Sequence, residues 1–271
     1  MPDASPKGQL PFISDGGALI ADSTFIRAHI EKTYGIDFDK GLDDRQRAEA
    51  WAIERMIENH LYGPLVYARW LLPENFAKGP AHFFDGAPDN AAEAMRREVL
   101  GIVTANLKAQ GASRHAPGEV VELGDRSLRA LSSLLGDKPY LMGDRPVGVD
   151  ATAFGSVAGI LTPFFESDLR RRAESHANLV AYAARMMARL IGRFVRENGQ
   201  HLTILTATSG DTGSAVASAF HNVEGIRVIV LFPISEVRDR QRQQMTTLRD
   251  NIRTIAVEGT FDDCQAMVKR A

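Results

Sequence analysis

Two short stretches hold residue types whose spacing suits the binding of an anion. In "ALIADSTFIRAHI", Asp22 and Ser23 stand directly before a helix-periodic run. A helix N-terminus presents free backbone donors to a carboxylate, Ser23 adds a hydroxyl, and Asp22 can accept from an ammonium. The alternative is that one of the two merely caps the helix, worth ~1 kcal/mol. In "HLTILTATSGDTGSAVASAF", the turn Ser209-Gly210-Asp211-Thr212-Gly213 follows an apolar run and opens a second helix, so its donors and macrodipole favour a phosphate or carboxylate. By itself that turn is also compatible with a capped helix start in which Gly serves a tight bend. Arg55, Glu58 and His60 lie beside Trp51 and Trp70 and read as a structural network, the alternative being a pocket lining. The Arg170–Arg172 run reads as a solvated helix end.

Positioning these residues requires two kinds of chain. Leu10–Ile13 and Ala18–Ala21, parted by a turn at Ser14–Gly17, predict a hairpin, and a helix follows from about Thr24 to Tyr34 with Gly35 as its stop. From Leu42 to about Asn198 the apolar period is helical throughout, with Pro and Gly connectors such as "DKPYLMGDRP", which predicts a bundle. Trp51, Ala52, Arg55, Met56, Asn59 and His60 fall on one stripe of its first long helix, and Gly63-Pro64 predicts a kink. Beyond residue 200 the pattern alternates: strands at Leu202–Thr206, Arg227–Phe232 and Ile252–Val257, helices at Gly213–His221, about Asp239 to Leu248, and from Phe261. That is a parallel βαβαβα series.

Composition narrows the function classes. Lys plus Arg at 32 against Asp plus Glu at 34 leave a net charge of -2, so no global field recruits nucleic acid or an acidic membrane. Cys264 is the only cysteine, which excludes an internal disulfide or a thiolate zinc cluster and suits a reducing compartment, the cytoplasm. No stretch has the roughly 20 apolar residues of a membrane span.

"LPFI", "DGG", "IADS" before a helix, "RMIENHL…RW" and "KPYLMGDRPVGVDATAFG" together resemble the glutathione S-transferase family, more narrowly its metaxin and failed-axon-connections branch, over about residues 7 to 197. The resemblance implies a cis bond before Pro11, pairing of the Leu10 backbone with the cysteinyl part of glutathione, and a hold on its glutamyl end by Asp22 and Ser23. It also implies that an earlier thiol-activating Tyr, Ser or Cys has no counterpart here, so that glutathione binding is weak and turnover absent. Where the family has Ser or Thr three residues before Asp150, this chain has Val147, which forfeits half of a capping box.

"LTILTATSGDTGSAVASAF", "RVIVLFP", "RQRQQMTT" and "NIRTIAVEGTFDDCQAMVK" look like threonine synthase, a family that uses pyridoxal phosphate, over residues 200 to 271. This resemblance implies that Ser209, Gly210, Asp211 and Thr212 form the loop for substrate carboxylate beside the cofactor, and that Cys264 belongs to scaffold. The family's Schiff-base lysine and Gly-rich phosphate cradle have no counterpart in residues 1–271.

The expected protein is mainly α: a truncated thioredoxin-like hairpin and helix (1–36), a glutathione-transferase-like helical bundle (37–199) and a small parallel βαβαβα segment (200–271). Its expected function is non-catalytic binding or scaffolding, with a threonine synthase piece as the alternative, no firmly bound cofactor, and self-association through exposed sheet edges.

Overall fold

The computed structural model describes residues 5–8, 10–208, 211–237, 242–243 and 246–271, the side chains of 89, 90, 211, 212 and 214 excepted. Two compact units are present, residues 1–50 and 51–271.

In the first unit, β1 (Phe12–Asp15) and β2 (Ala18–Ala21) pair antiparallel, with Phe12 opposite Ala21 and Asp15 opposite Ala18. The strand runs on to Asp15, two residues past the expected end at Ile13. Gly16 and Gly17, at φ 57° and 85°, complete a two-residue turn whose twist suits a hairpin. Helix α1 (Ser23–Tyr34) is stopped by Gly35 at φ 63°.

Helix α2 (Asp44–Met56) leads through a widened π turn, Ile57–Leu61, into α3 (Tyr62–Trp70). The distortion expected at Gly63-Pro64 lies one turn earlier. Pro64 has no N–H and its ring crowds the preceding carbonyls; the wider turn, in which the Tyr62 N–H reaches Ile57 O, makes room without breaking the rod. Ile53, Ile57 and Leu61 face the core, whereas Trp51, Ala52, Asn59 and His60 are exposed. The stripe marked out in the sequence is therefore largely the outer face.

The bundle continues with α4 (Pro73–Lys78), α5 (Asp89–Gln110), α6 (Pro117–Leu135), α7 (Gly148–Leu161), α8 (Asp168–Glu174) and α9 (Ala177–Asn198). Leu128, Leu131, Val149, Ala153, Val157 and Leu179 are buried among them. At the start of α7, Val147 offers no side-chain acceptor, yet Asp150 reaches back. Its carboxylate, 0% exposed, accepts from Leu141 N at 3.0 Å, Val147 N at 2.9 Å and Tyr182 Oη at 3.0 Å. Asp150 thus ties the connector before α7, and α9, to one buried carboxylate.

After α9 the chain forms β3 (Leu202–Ala207), α10 (Asp211–Phe220), β4 (Ile226–Pro233), β5 (Ile252–Val257) and α11 (Phe261–Arg270). The sheet is parallel in the order β3-β4-β5, with Leu202 beside Ile226 and Val228 beside Ile252. Half of the helix expected over 239–248 falls outside the described residues. One sheet face packs Val228, Val230 and Ile252 against Ala217 and Phe220 of α10, and the same cluster takes in Ala188 and Val195 of α9. On the other face, Leu231 and Val257 meet Cys264 of α11.

Candidate functional site

The first candidate site is built at the junction of hairpin and helix. The Leu10–Pro11 peptide is cis. Pro11 O accepts from Asp22 N at 3.0 Å, one rung beyond the Phe12–Ala21 pair, which brings Leu10, Pro11, Asp22 and Ser23 to one corner of the hairpin. Leu10, beside that corner, is 67% exposed. Asp22, at φ 82°, is the N-cap: Oδ1 accepts from Thr24 N at 2.9 Å, and Ser23 is the first helical residue. The capping reading of Asp22 is what the structure displays. One carboxylate oxygen is left over, and it faces Lys7 Nζ at 3.9 Å. Lys7 in turn lies 4.2 Å from the Phe25 ring.

A neighbouring network escaped the sequence reading. His29 Nε2 lies 2.7 Å from Asp15 Oδ2, and Tyr34 Oη donates to Asp15 Oδ1 at 2.8 Å. His29, and then Tyr34, hold the Asp15 carboxyl below the usual carboxylate range, and the same bond raises the Tyr34 hydroxyl. His29 and Tyr34 stand five residues apart on α1, a spacing that does not mark one helix face. Asp15 came from a position read as turn, so its partnership with α1 was not legible.

Arg55 sits 2.6 Å from Glu58 and 3.6 Å from Glu54 and stacks 4.3 Å over Trp51. Its Nε is buried without a hydrogen-bond partner. Exposed His60 stands apart from this network. Arg170 bonds Glu166 and Glu174 at 2.8 Å each, Arg171 pairs with Asp168, and Arg172 lies 3.5 Å from Asp125. That arginine run answers the chain's own carboxylates.

In the second stretch Ser209 and Gly210 lie outside the described residues, as do the side chains of Asp211 and Thr212, whose backbone opens α10. Buried Thr208 accepts from Gly213 N at 2.9 Å, and a Cβ on Gly213 would fall 2.2 Å from Thr208 Cγ2. Gly213 is therefore required by close approach, and its early helical donor is already used. The Cys264 thiol is buried and raised by desolvation, which fits scaffold. Among the described residues no His, Cys, Asp or Glu cluster suits a metal ion, and no helix is long and apolar enough to cross a membrane.

The corner of cis-Pro and capped helix corresponds to known families. Residues 1–75 match the model of the glutathione S-transferase N-terminal domain, and residues 124–186 that of the glutathione S-transferase C-terminal domain. The first two thirds of the chain are glutathione S-transferase-like. A Drosophila melanogaster relative, Failed axon connections, is 33% identical over 194 residues, 67% of this chain and 46% of that protein. The threonine synthase of Buchnera aphidicola subsp. Acyrthosiphon pisum (strain APS) is 48% identical over 90 residues, 33% of this chain and 21% of that enzyme. Among solved structures, pyridoxal-phosphate-bound threonine synthase from Brucella melitensis aligns at 25% identity and a TM-score of 0.33, covering 54% of this chain and 35% of that one. The glutathione S-transferase-like chain thus spans under half of the fly protein, at 46%, and about a fifth of the Buchnera synthase, at 21%.

Proposed function

We propose that the chain is a glutathione-transferase-like binding or scaffold protein, acting in the cytoplasm, which takes up glutathione weakly and does not turn it over. The observation that carries this reading is the 3.0 Å bond from Asp22 N to Pro11 O, which sets the exposed residue Leu10 and Pro11 beside a helix N-terminus. In this reading the Leu10 backbone pairs with the cysteinyl part, while Ser23 and the free N-terminal donors of α1 take the glutamyl carboxylate. The glutamyl ammonium falls to Asp22. Weakness follows from Asp22's other engagements, since one oxygen caps the helix and the other faces Lys7 at 3.9 Å.

The absence of turnover follows from the family resemblance, in which the Tyr, Ser or Cys that activates the thiol on an earlier strand and helix has no counterpart in residues 1–271; Tyr34 stands at the far end of α1 from the corner, where it donates to Asp15 at 2.8 Å. Calorimetric titration of glutathione is expected to give a millimolar dissociation constant, about 4 kcal/mol. A micromolar constant would overturn this reading.

The synthase-like part favours a second reading, a piece of a pyridoxal-phosphate enzyme. The described residues do not fit that cofactor: the Gly213 donor is spent on Thr208, and the lysine of residues 200–271 is Lys269, in the last turn of α11. Mixing the chain with pyridoxal phosphate, reducing with borohydride and mapping peptides is expected to find scattered labelling. One stoichiometric lysine protected by O-phosphohomoserine would establish the second reading instead.

A further inference from the structure

The sheet ends in an open edge at β3. Leu202 N donates to Gly225 O and Thr208 N to Leu231 O, both toward β4. Parallel pairing turns alternate residues to opposite sides, so the N–H and C=O groups of Thr203, Leu205 and Ala207 point outward. No strand of the described residues pairs with that side.

A cleft of about 760 Å³ runs along the edge, reaching Leu205, Thr206 and Ala207. Its apolar wall includes Phe164 and Val268. Phe164 is 56% exposed yet held in place, meeting Phe165 edge-on at 4.9 Å and 88°. Phe165 is fixed in turn by Arg69, 3.7 Å from its ring, and by close approach to Gly79, where a Cβ would come within 2.6 Å. Three cations, Lys78, Arg170 and Lys269, converge on the cleft from α4, α8 and α11, against one lining carboxylate, Glu166. Arg170 is already paired with Glu166 and Glu174, whereas Lys78 and Lys269 have no carboxylate partner among the described residues.

We propose that this edge takes up an extended acidic peptide as a fourth strand. The outward groups of Thr203, Leu205 and Ala207 supply the ladder, Phe164 and Val268 receive alternate apolar side chains, and Lys78 and Lys269 meet the acidic ones. A peptide of five residues spans ~17 Å at the strand rise, enough to run past β3. A second copy of this chain is the poorer occupant. Edge-to-edge pairing of two β3 strands would bring two lysine rims together, and "LTILTA" carries no acidic side chain to answer them.

The test uses the full chain and a fluorescein-labelled heptapeptide of alternating glutamate and valine, read by anisotropy at low salt. Two further peptides serve as comparisons, one with lysine for glutamate and one with alternate backbone nitrogens methylated. The acidic peptide is expected to bind saturably and to slow amide exchange at Leu205 and Ala207. The lysine peptide should bind about fivefold or more weakly, as two exposed ion pairs are lost, and the methylated one about tenfold or more weakly, as ladder bonds are lost. Lys78→Glu with Lys269→Glu, both surface changes, should reverse the preference between the first two peptides without shifting the melting temperature. Failure to bind, equal binding of acidic and lysine peptides, or indifference to methylation would overturn the proposal. So would concentration-dependent self-association that protects Leu205 and Ala207 and excludes the peptide, which would assign the edge to a second copy.

Discussion

Asp22 and Asp150 use their carboxylates in different ways, and substitution separates them. Asp22 is partly exposed and divides itself between Thr24 N and Lys7. Asp22→Ala is expected to lower stability by ~1 kcal/mol, the worth of a cap, and to abolish the calorimetric heat of glutathione binding; unchanged heat would remove Asp22 from the proposed site. Asp150 is fully buried and accepts from Leu141 N, Val147 N and Tyr182 Oη. Asp150→Asn turns an amide toward groups that are all donors and should cost about 1 to 3 kcal/mol at neutral pH, read by denaturant unfolding. Burial raises the Asp150 carboxyl despite those bonds. Its titration therefore contributes stability that is fully present below the unfolded value of ~3.9 and lost as pH rises through the folded value. Asp15 has the opposite sign: lowered by His29 and Tyr34, it contributes stability present above ~3.9 and lost as pH falls through its folded value. Wild type minus Asp150→Asn should shrink with rising pH, and wild type minus Asp15→Asn should grow.

At the scale of elements, the clearest demand falls on the join between α9 and the sheet. Gly225 has φ 76°, and a Cβ there would stand 2.4 Å from Val195 Cγ1 and 3.1 Å from Gln200 O. Gly225→Ala combines a left-handed backbone with overpacking and should destabilise by about 1 to 3 kcal/mol. Adding Val195→Ala should return part of that loss, because it removes the nearest atom; a fully additive double variant would contradict the contact. Much of this architecture was legible beforehand. The alternation "LTILTAT", "RVIVLF", "TIAV" marks three strands between helices, and Gly35 marks the end of α1, since local period and φ demands are written in a single stretch. The cis bond at Pro11 came only through family resemblance. Other features depended on partners distant in sequence. The outward turn of Trp51 and His60 follows from which face Ile53, Ile57 and Leu61 bury, and the π turn at 57–61 relieves a proline that lies after it. Asp22 was legible as cap or ligand residue, and its bond to Pro11 continues the hairpin ladder one rung beyond Phe12 and Ala21.

For the whole molecule, α9 has two allegiances. Its Tyr182 bonds Asp150 of α7, while Ala188 and Val195 join the cluster around Phe220, Val228 and Val230. Phe220→Ala should cost about 3 to 5 kcal/mol, and amide exchange should quicken together at Val230 and along α9 from Ala188 to Val195. If the sheet alone quickened, α9 would not be its packing floor. In the proposed reading, the corner at Pro11 and Asp22 binds glutathione weakly and does not turn it over. Conjugation of glutathione to a chlorinated nitrobenzene tests this most directly, with the full chain at near-saturating glutathione. The rate should equal the protein-free blank at every protein concentration; a rate that rises in proportion to the protein and falls to the blank in Asp22→Ala would contradict the account.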